Sequence, residues 1–84
     1  MIKVYRAIGL LFEKSNQYDL AIDYLKIGLL KSDQFFNSED TKKKVQIYED
    51  IGDVLRGVGE FNQACKYYIL SFLSFLAYYD LSTS

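Results

Sequence analysis

The chain has 84 residues, half of them hydrophobic and a quarter charged, with a net charge of −1, enough for one small domain that is only marginally stable alone. Lys and Arg are spread along it without a basic stripe, which excludes a nucleic-acid binder of the usual electrostatic kind, and the absence of His removes the commonest general base and metal ligand. No Pro interrupts the chain, which favours long helices over a sandwich of short strands.

The first helix is expected from about Ile2 to Lys14, with Val4, Tyr5, Ile8, Leu11 and Phe12 at helical spacing as its apolar stripe. Lys3, Arg6, Ala7, Leu10, Glu13 and Lys14 take the other sides, so this helix has a polar flank fit for an end of the domain. Ser15-Asn16-Gln17 breaks the pattern, and Asn16 is expected to cap the next helix, with Asp19 in its first turn. That second helix runs from about Gln17 to Asp33 or slightly beyond. Tyr18, Ala21, Ile22, Leu25 and Leu29 form one stripe; Leu20, Tyr24, Ile27 and Leu30 widen it, so cover on two sides is expected. Gly28 costs about 1 kcal/mol relative to Ala inside a helix and implies a close crossing there.

Residues 34–38 read as a link, with Phe35 and Phe36 covering the end of the core and Ser38 capping a helix that carries Glu39 and Asp40 in its first turn. The third helix is expected from about Glu39 to Arg56, with Val45, Tyr48, Ile51, Val54, Leu55 and Val58 as its apolar positions. Lys42-Lys43-Lys44 near its start reads as a solvated face. Gly57-Val58-Gly59 ends it, glycine being suited to a left-handed C-terminal position.

The fourth helix, from about Phe61 to Asp80, is apolar nearly all round. Phe61, Ala64, Tyr68, Phe72, Phe75 and Tyr79 form the face expected to pack within the domain, and Ile69, Leu70, Leu73, Leu76 and Ala77 form a second face. Between Ala64 and Tyr79 only Lys66 is charged, but those 16 residues fall short of the roughly 20 that cross a bilayer, so no membrane span is expected. The N-terminus lacks the apolar run of a signal peptide, and the one cysteine, Cys65, has no partner for an internal disulfide. Both point to the cytoplasm. Cys65 itself reads as a small core residue.

Tyr5, Ile8, Gly9, Phe12, Tyr18, Ala21 and Leu25 match Tyr48, Ile51, Gly52, Leu55, Phe61, Ala64 and Tyr68, each pair separated by 43 residues. A fixed offset over that many positions marks a repeated helix–turn–helix unit, the first over about 2–36 and the second over about 39–80 of a single domain spanning 1–84. In this pattern the chain resembles the tetratricopeptide repeat family: a large residue, then Ile8-Gly9 or Ile51-Gly52, then Phe12 or Leu55, and after the turn Ala21, Leu25 and Gly28 or Ala64, Tyr68 and Ser71. The family's closing Pro is replaced by Asp33 and Leu76, and its usual period of about 34 residues is lengthened to 43. The resemblance implies an all-α fold of four antiparallel helices, two stacked helix pairs of a right-handed solenoid. It also implies a concave peptide groove lined by Lys3, Arg6, Leu10 and Glu13 of the first helix and Gln46, Glu49, Asp50, Asp53 and Arg56 of the third. Leu10 stands where the family's carboxylate clamp uses Asn, so the acids of the third helix favour a basic or amide-rich segment.

No enzyme is expected, and no cofactor or metal. Gly57-Val58-Gly59 lacks the Lys and the preceding strand of a phosphate loop, and Glu49, Asp50 and Asp53 read as carboxylates of an exposed helix. The expected function is a protein–protein interaction module or scaffold. In a repeat stack each pair touches only its neighbours, and the second face of the fourth helix, Ile69, Leu70, Leu73, Leu76 and Ala77, lies where a third pair would pack. A second copy across a two-fold axis, a different protein, or the continuation of a longer array would cover it. The alternative is a peptide receptor or regulator that uses the groove of the first and third helices.

Overall fold

The computed structural model describes residues 2–32 and 38–83. They form α1 (Ile2–Lys14), α2 (Tyr18–Ser32), α3 (Ser38–Gly57) and α4 (Phe61–Thr83), with no strand among the described residues. The fold is all-α, and α4 runs on past Asp80. The expected end of α2 at Asp33 and the cover over the core by Phe35 and Phe36 lie outside the described residues.

The two tight turns are built alike. After α1 the amide of Asn16 donates to the Glu13 carbonyl at 3.0 Å and that of Gln17 to Phe12 at 2.9 Å; after α3, Gly59 donates to Arg56 at 3.1 Å and Glu60 to Leu55 at 2.9 Å. Each turn thus has the paired bonds of a helix ended by one left-handed residue. That residue is Gly59 (φ 87°), as expected, and Asn16 (φ 62°). Asn16 therefore closes α1 and does not cap α2. It is the non-glycine type that best tolerates this region, and its side chain accepts a hydrogen bond from the Tyr18 hydroxyl at 2.9 Å. The carbonyl of Gln17 receives the first amide bond of α2, from Ala21, as Glu60 does from Ala64.

The helix crossings repeat as well. A Cβ on Gly9 would lie 2.8 Å from Leu25, and one on Gly52 would lie 2.7 Å from Tyr68, the same partner displaced by one unit. Gly28 lies against Tyr5 and the Ile2 carbonyl; its counterpart Ser71 is buried and donates to the Val45 carbonyl at 3.0 Å. Each pair is antiparallel and packed at glycine or other small residues, which lets the axes approach closely. α3 lies against both α2 and α1, and among the described residues α4 has α3 as its one neighbour at backbone distance.

The core is where α3 meets the first pair: Ile2, Ala21, Leu25, Ile47, Ile51 and Val54. Ile47 is fully buried and was not among the expected apolar positions of its helix. Val4 and Leu11, expected in the core stripe of α1, are 55% and 65% exposed; α2 is covered by α1 and by α3, with Tyr24 and Ile27 half-buried, but Leu20 and Leu30 face water. The backbone measures only 15 Å through its thinnest dimension. Two helices in contact occupy roughly 10 Å between their axes, so no third layer exists to cover those side chains.

Candidate functional site

α1 and α3 run side by side in the same direction, as the groove reading requires. The Arg6 guanidinium donates to Asp50 through Nε (2.5 Å) and Nη2 (3.4 Å). Hydrogen bonding to Asp50 raises the Arg6 pKa further above its ordinary value. Burial pushes the Asp50 carboxyl up, and Arg6 opposes that shift without cancelling it. Glu13 is also pushed up, first by burial and then by repulsion from Asp53 and Asp50. Arg6 is therefore not part of a polar end flank; it turns inward and ties α1 to α3.

The groove residues do not form one trough. Lys3, Arg6, Leu10 and Gln46 line a cleft of about 440 Å³ together with Lys42 and Lys43, two cations the groove reading left out. Glu49, Asp53 and Arg56 instead line a cleft of about 530 Å³ between α3 and α4. The acids expected to receive a basic segment are engaged. Asp50 holds Arg6, while Asp53 accepts the Tyr68 hydroxyl at 2.6 Å and lies 3.5 Å from Arg56. Burial raises the Tyr68 pKa, and the bond to Asp53 raises it further. Among the described residues no group of three or more His, Cys, Asp or Glu is placed to hold a metal ion.

α4 departs furthest from expectation. Ala64 and Ser71 are its buried positions, and Tyr67, Tyr68, Ser74 and Tyr78 are half-buried beside them. The aromatic line expected to pack inside the domain stands largely in water: Phe61 is 64% exposed, Phe72 60%, Phe75 47% and Tyr79 58%. The ring of Tyr68 takes the place against Gly52 and Ser71 the place against the Val45 carbonyl, and α3 is the one helix beside α4 among the described residues, so the other rings have little to pack on. Cys65, read as a core residue, is exposed. The second face is exposed as expected, with Ile69 at 59%, Leu70 at 39%, Leu73 at 54% and Leu76 at 44%; Ala77 is exposed too. The two faces together give α4 apolar surface on every side except the one against α3.

Ile2, Arg6, Leu25 and Gly28 hold α3 against the first pair, and their counterparts are Val45, Glu49, Tyr68 and Ser71. Those four line the α3–α4 cleft with Phe72 and Phe75. A following helix would therefore meet the aromatic line, while Ile69, Leu73 and Leu76 lie behind it. Carrying the 43-residue offset past the repeat motif and onto every flank would have separated the two faces.

No helix among the described residues is long and apolar enough to cross a membrane. No family model matches the chain, and no curated protein or solved structure matches it.

Proposed function

We propose that the chain is a non-enzymatic protein–protein interaction module of the cytoplasm, two tetratricopeptide-like helix pairs in a right-handed stack, and that its partner packs on the flank of α4 formed by Ile69, Leu70, Leu73, Leu76 and Ala77. The supporting observation is the contiguous exposure of that flank: Ile69, Leu73 and Leu76 recur at helical spacing and each leaves two-fifths or more of its surface in water. Full burial of one such side chain is favourable by about 1.5–3 kcal/mol, and a continuous patch of them marks an association site more often than an inert surface. At the corresponding places α2 keeps Ile27 and Leu30 but has the charged Lys26 and Asp33 where α4 has Ile69 and Leu76, so the unbroken apolar line is confined to the last helix.

The test is to substitute Asp for Ile69 and Leu73 together and follow molar mass by size exclusion with light scattering. Both positions are exposed, so helix content should be unchanged while the molar mass falls. A parent chain that remains a folded monomer at tens of micromolar counts against the proposal. The second reading is the α1–α3 groove, supported by the cleft that Lys3, Arg6, Leu10 and Gln46 share. With Asp50 and Asp53 already paired, that cleft suits an acidic segment better than a basic one. Binding there would survive the changes on α4.

A further inference from the structure

We propose that the chain assembles head to tail, α1 of one copy entering the α3–α4 cleft of the next as α3 enters the first helix pair within the chain; this rests on the interaction-module reading and names its partner as a second copy. The fold exposes both halves of a junction that it also contains once in finished form. In the finished junction α3 inserts Ile47, Ile51 and Val54, all at 0% exposure, beside Leu25 and Ile2. Moved back by the offset of 43, those three positions are Val4, Ile8 and Leu11 of α1. Val4 is 55% exposed and Leu11 65%, while Ile8 is half-buried. The same line of side chains is dry on α3, against the first helix pair, and wet on α1 among the described residues. The receiving surface is equally unfilled: Tyr68 and Phe72 border a cleft of about 530 Å³ at the places of Leu25 and Leu29, which pack in or against the core.

Charge selects α1 as the occupant over any other helix of the chain. In the finished junction Arg6 of the receiving pair meets Asp50 and lies near Glu49 of the entering helix. In the open cleft the receiving residue at that place is Glu49. An entering α1 presents Lys3 at the position of Gln46, Arg6 at that of Glu49 and Ala7 at that of Asp50, so Lys3 approaches the acid, Arg6 adds its charge from its own bond to Asp50, and no carboxylate stands at these three places. An entering α3 would bring Asp50 against Glu49. Like charges across an interface suppress that pairing, and opposite charges fix the register of the other. α4 carries a line of the same spacing, Ile69, Leu73 and Leu76, but it has Tyr68 and Ser71 where α1 has Lys3 and Arg6, so it brings no cation to Glu49.

Entry of α1 into a different surface makes the contact heterologous, so assembly continues past two copies unless the rotation closes a ring. The experiment uses the full chain with Leu11→Asp, which blocks the entering helix, and separately Phe72→Asp, which blocks the cleft; both side chains are at least 60% exposed, so both variants should keep the parent's helix content by circular dichroism. Molar mass by light scattering, measured with Ile69→Asp and Leu73→Asp present throughout so that the α4 flank takes no part, should rise with concentration beyond a dimer for the otherwise unchanged chain and stay at the 9.8 kDa of one chain when Leu11→Asp or Phe72→Asp is added. An equimolar mixture of the two variants should form a dimer and stop there, because one intact half remains on each. Association by the parent that is lost with the Ile69/Leu73 double substitution alone overturns the head-to-tail assembly and leaves the α4 interaction module standing. A monomeric parent overturns both. Mass that stops at a dimer in the parent also overturns the head-to-tail arrangement.

Discussion

Gly9→Ala probes the close crossing on which the first helix pair depends. A Cβ at this position would lie 2.8 Å from Leu25 Cγ, 3.0 Å from Leu25 Cδ2 and 3.1 Å from the Ala21 carbonyl oxygen. Leu25 is fully buried and has no free volume to enter, and the carbonyl belongs to the backbone of α2, so the helix itself must move. Overpacking of this kind costs about 1–3 kcal/mol, of which the better helix propensity of Ala returns about 1 kcal/mol. The net loss is roughly 0–2 kcal/mol, toward the upper end because a backbone atom as well as a side chain stands in the way, which for so small a domain lowers Tm by up to roughly 15 °C. Gly52→Ala is the internal control. Its new methyl meets the ring of Tyr68, 2.7 Å away at the nearest atom, with no backbone atom among the close neighbours. Tyr68 borders the open cleft and can swing outward, giving up its bond to Asp53 for a cost of about 1 kcal/mol. The propensity gain offsets that, and stability changes by less than about 1 kcal/mol. Thermal and urea unfolding of both variants, followed by far-UV circular dichroism, measures the contrast. A Gly9→Ala variant as stable as the parent, or a Gly52→Ala variant that is the more damaged of the two, would refute the account of these crossings.

Two further predictions concern the charges between α1 and α3. Arg6→Met leaves the Asp50 carboxylate, 12% exposed, without its cation and should destabilise by about 1–2 kcal/mol, less than a fully buried pair because the Arg6 side chain is 35% exposed. A double-mutant cycle with Asp50→Asn should return a coupling of about 1 kcal/mol, and strictly additive changes in urea stability would disprove the contact. The pH dependence follows from Glu13 and Asp50, whose folded pKa values lie above the ordinary ones. For such acids the folded state binds protons more readily, so their favourable contribution is complete below the unfolded value and is lost as pH rises through the folded one. Glu13→Gln should therefore raise Tm at pH 7, by a free energy on the order of 0.5 kcal/mol at this partly exposed site, and the gain should vanish near pH 4. An equal gain at both pH values would mean that ionisation of Glu13 is not what the substitution relieves.

The amino-acid pattern alone carried the helix count, the short turns and the 43-residue unit, because each depends on local rules. Apolar spacing defines a helix, a glycine or asparagine ends one, and a matched Gly9 and Gly52 announce equal crossings. It also showed that α4 has apolar surface to spare. What it left open was which flank of each helix finds a neighbour, since a periodic stripe reports that a face is apolar and not that anything lies opposite. Val4, Ile8 and Leu11 read as core by the same criterion as Ile51 and Val54, and the tertiary structure separates them because the described residues place a helix pair against the α3 line and leave the α1 line open. Phe72 and Phe75 stay outside because α3 is the one helix beside α4 among the described residues, and Tyr68 and Ser71 already take the places against it. Burial belongs to pairs of surfaces, and a linear pattern describes only one member of each pair.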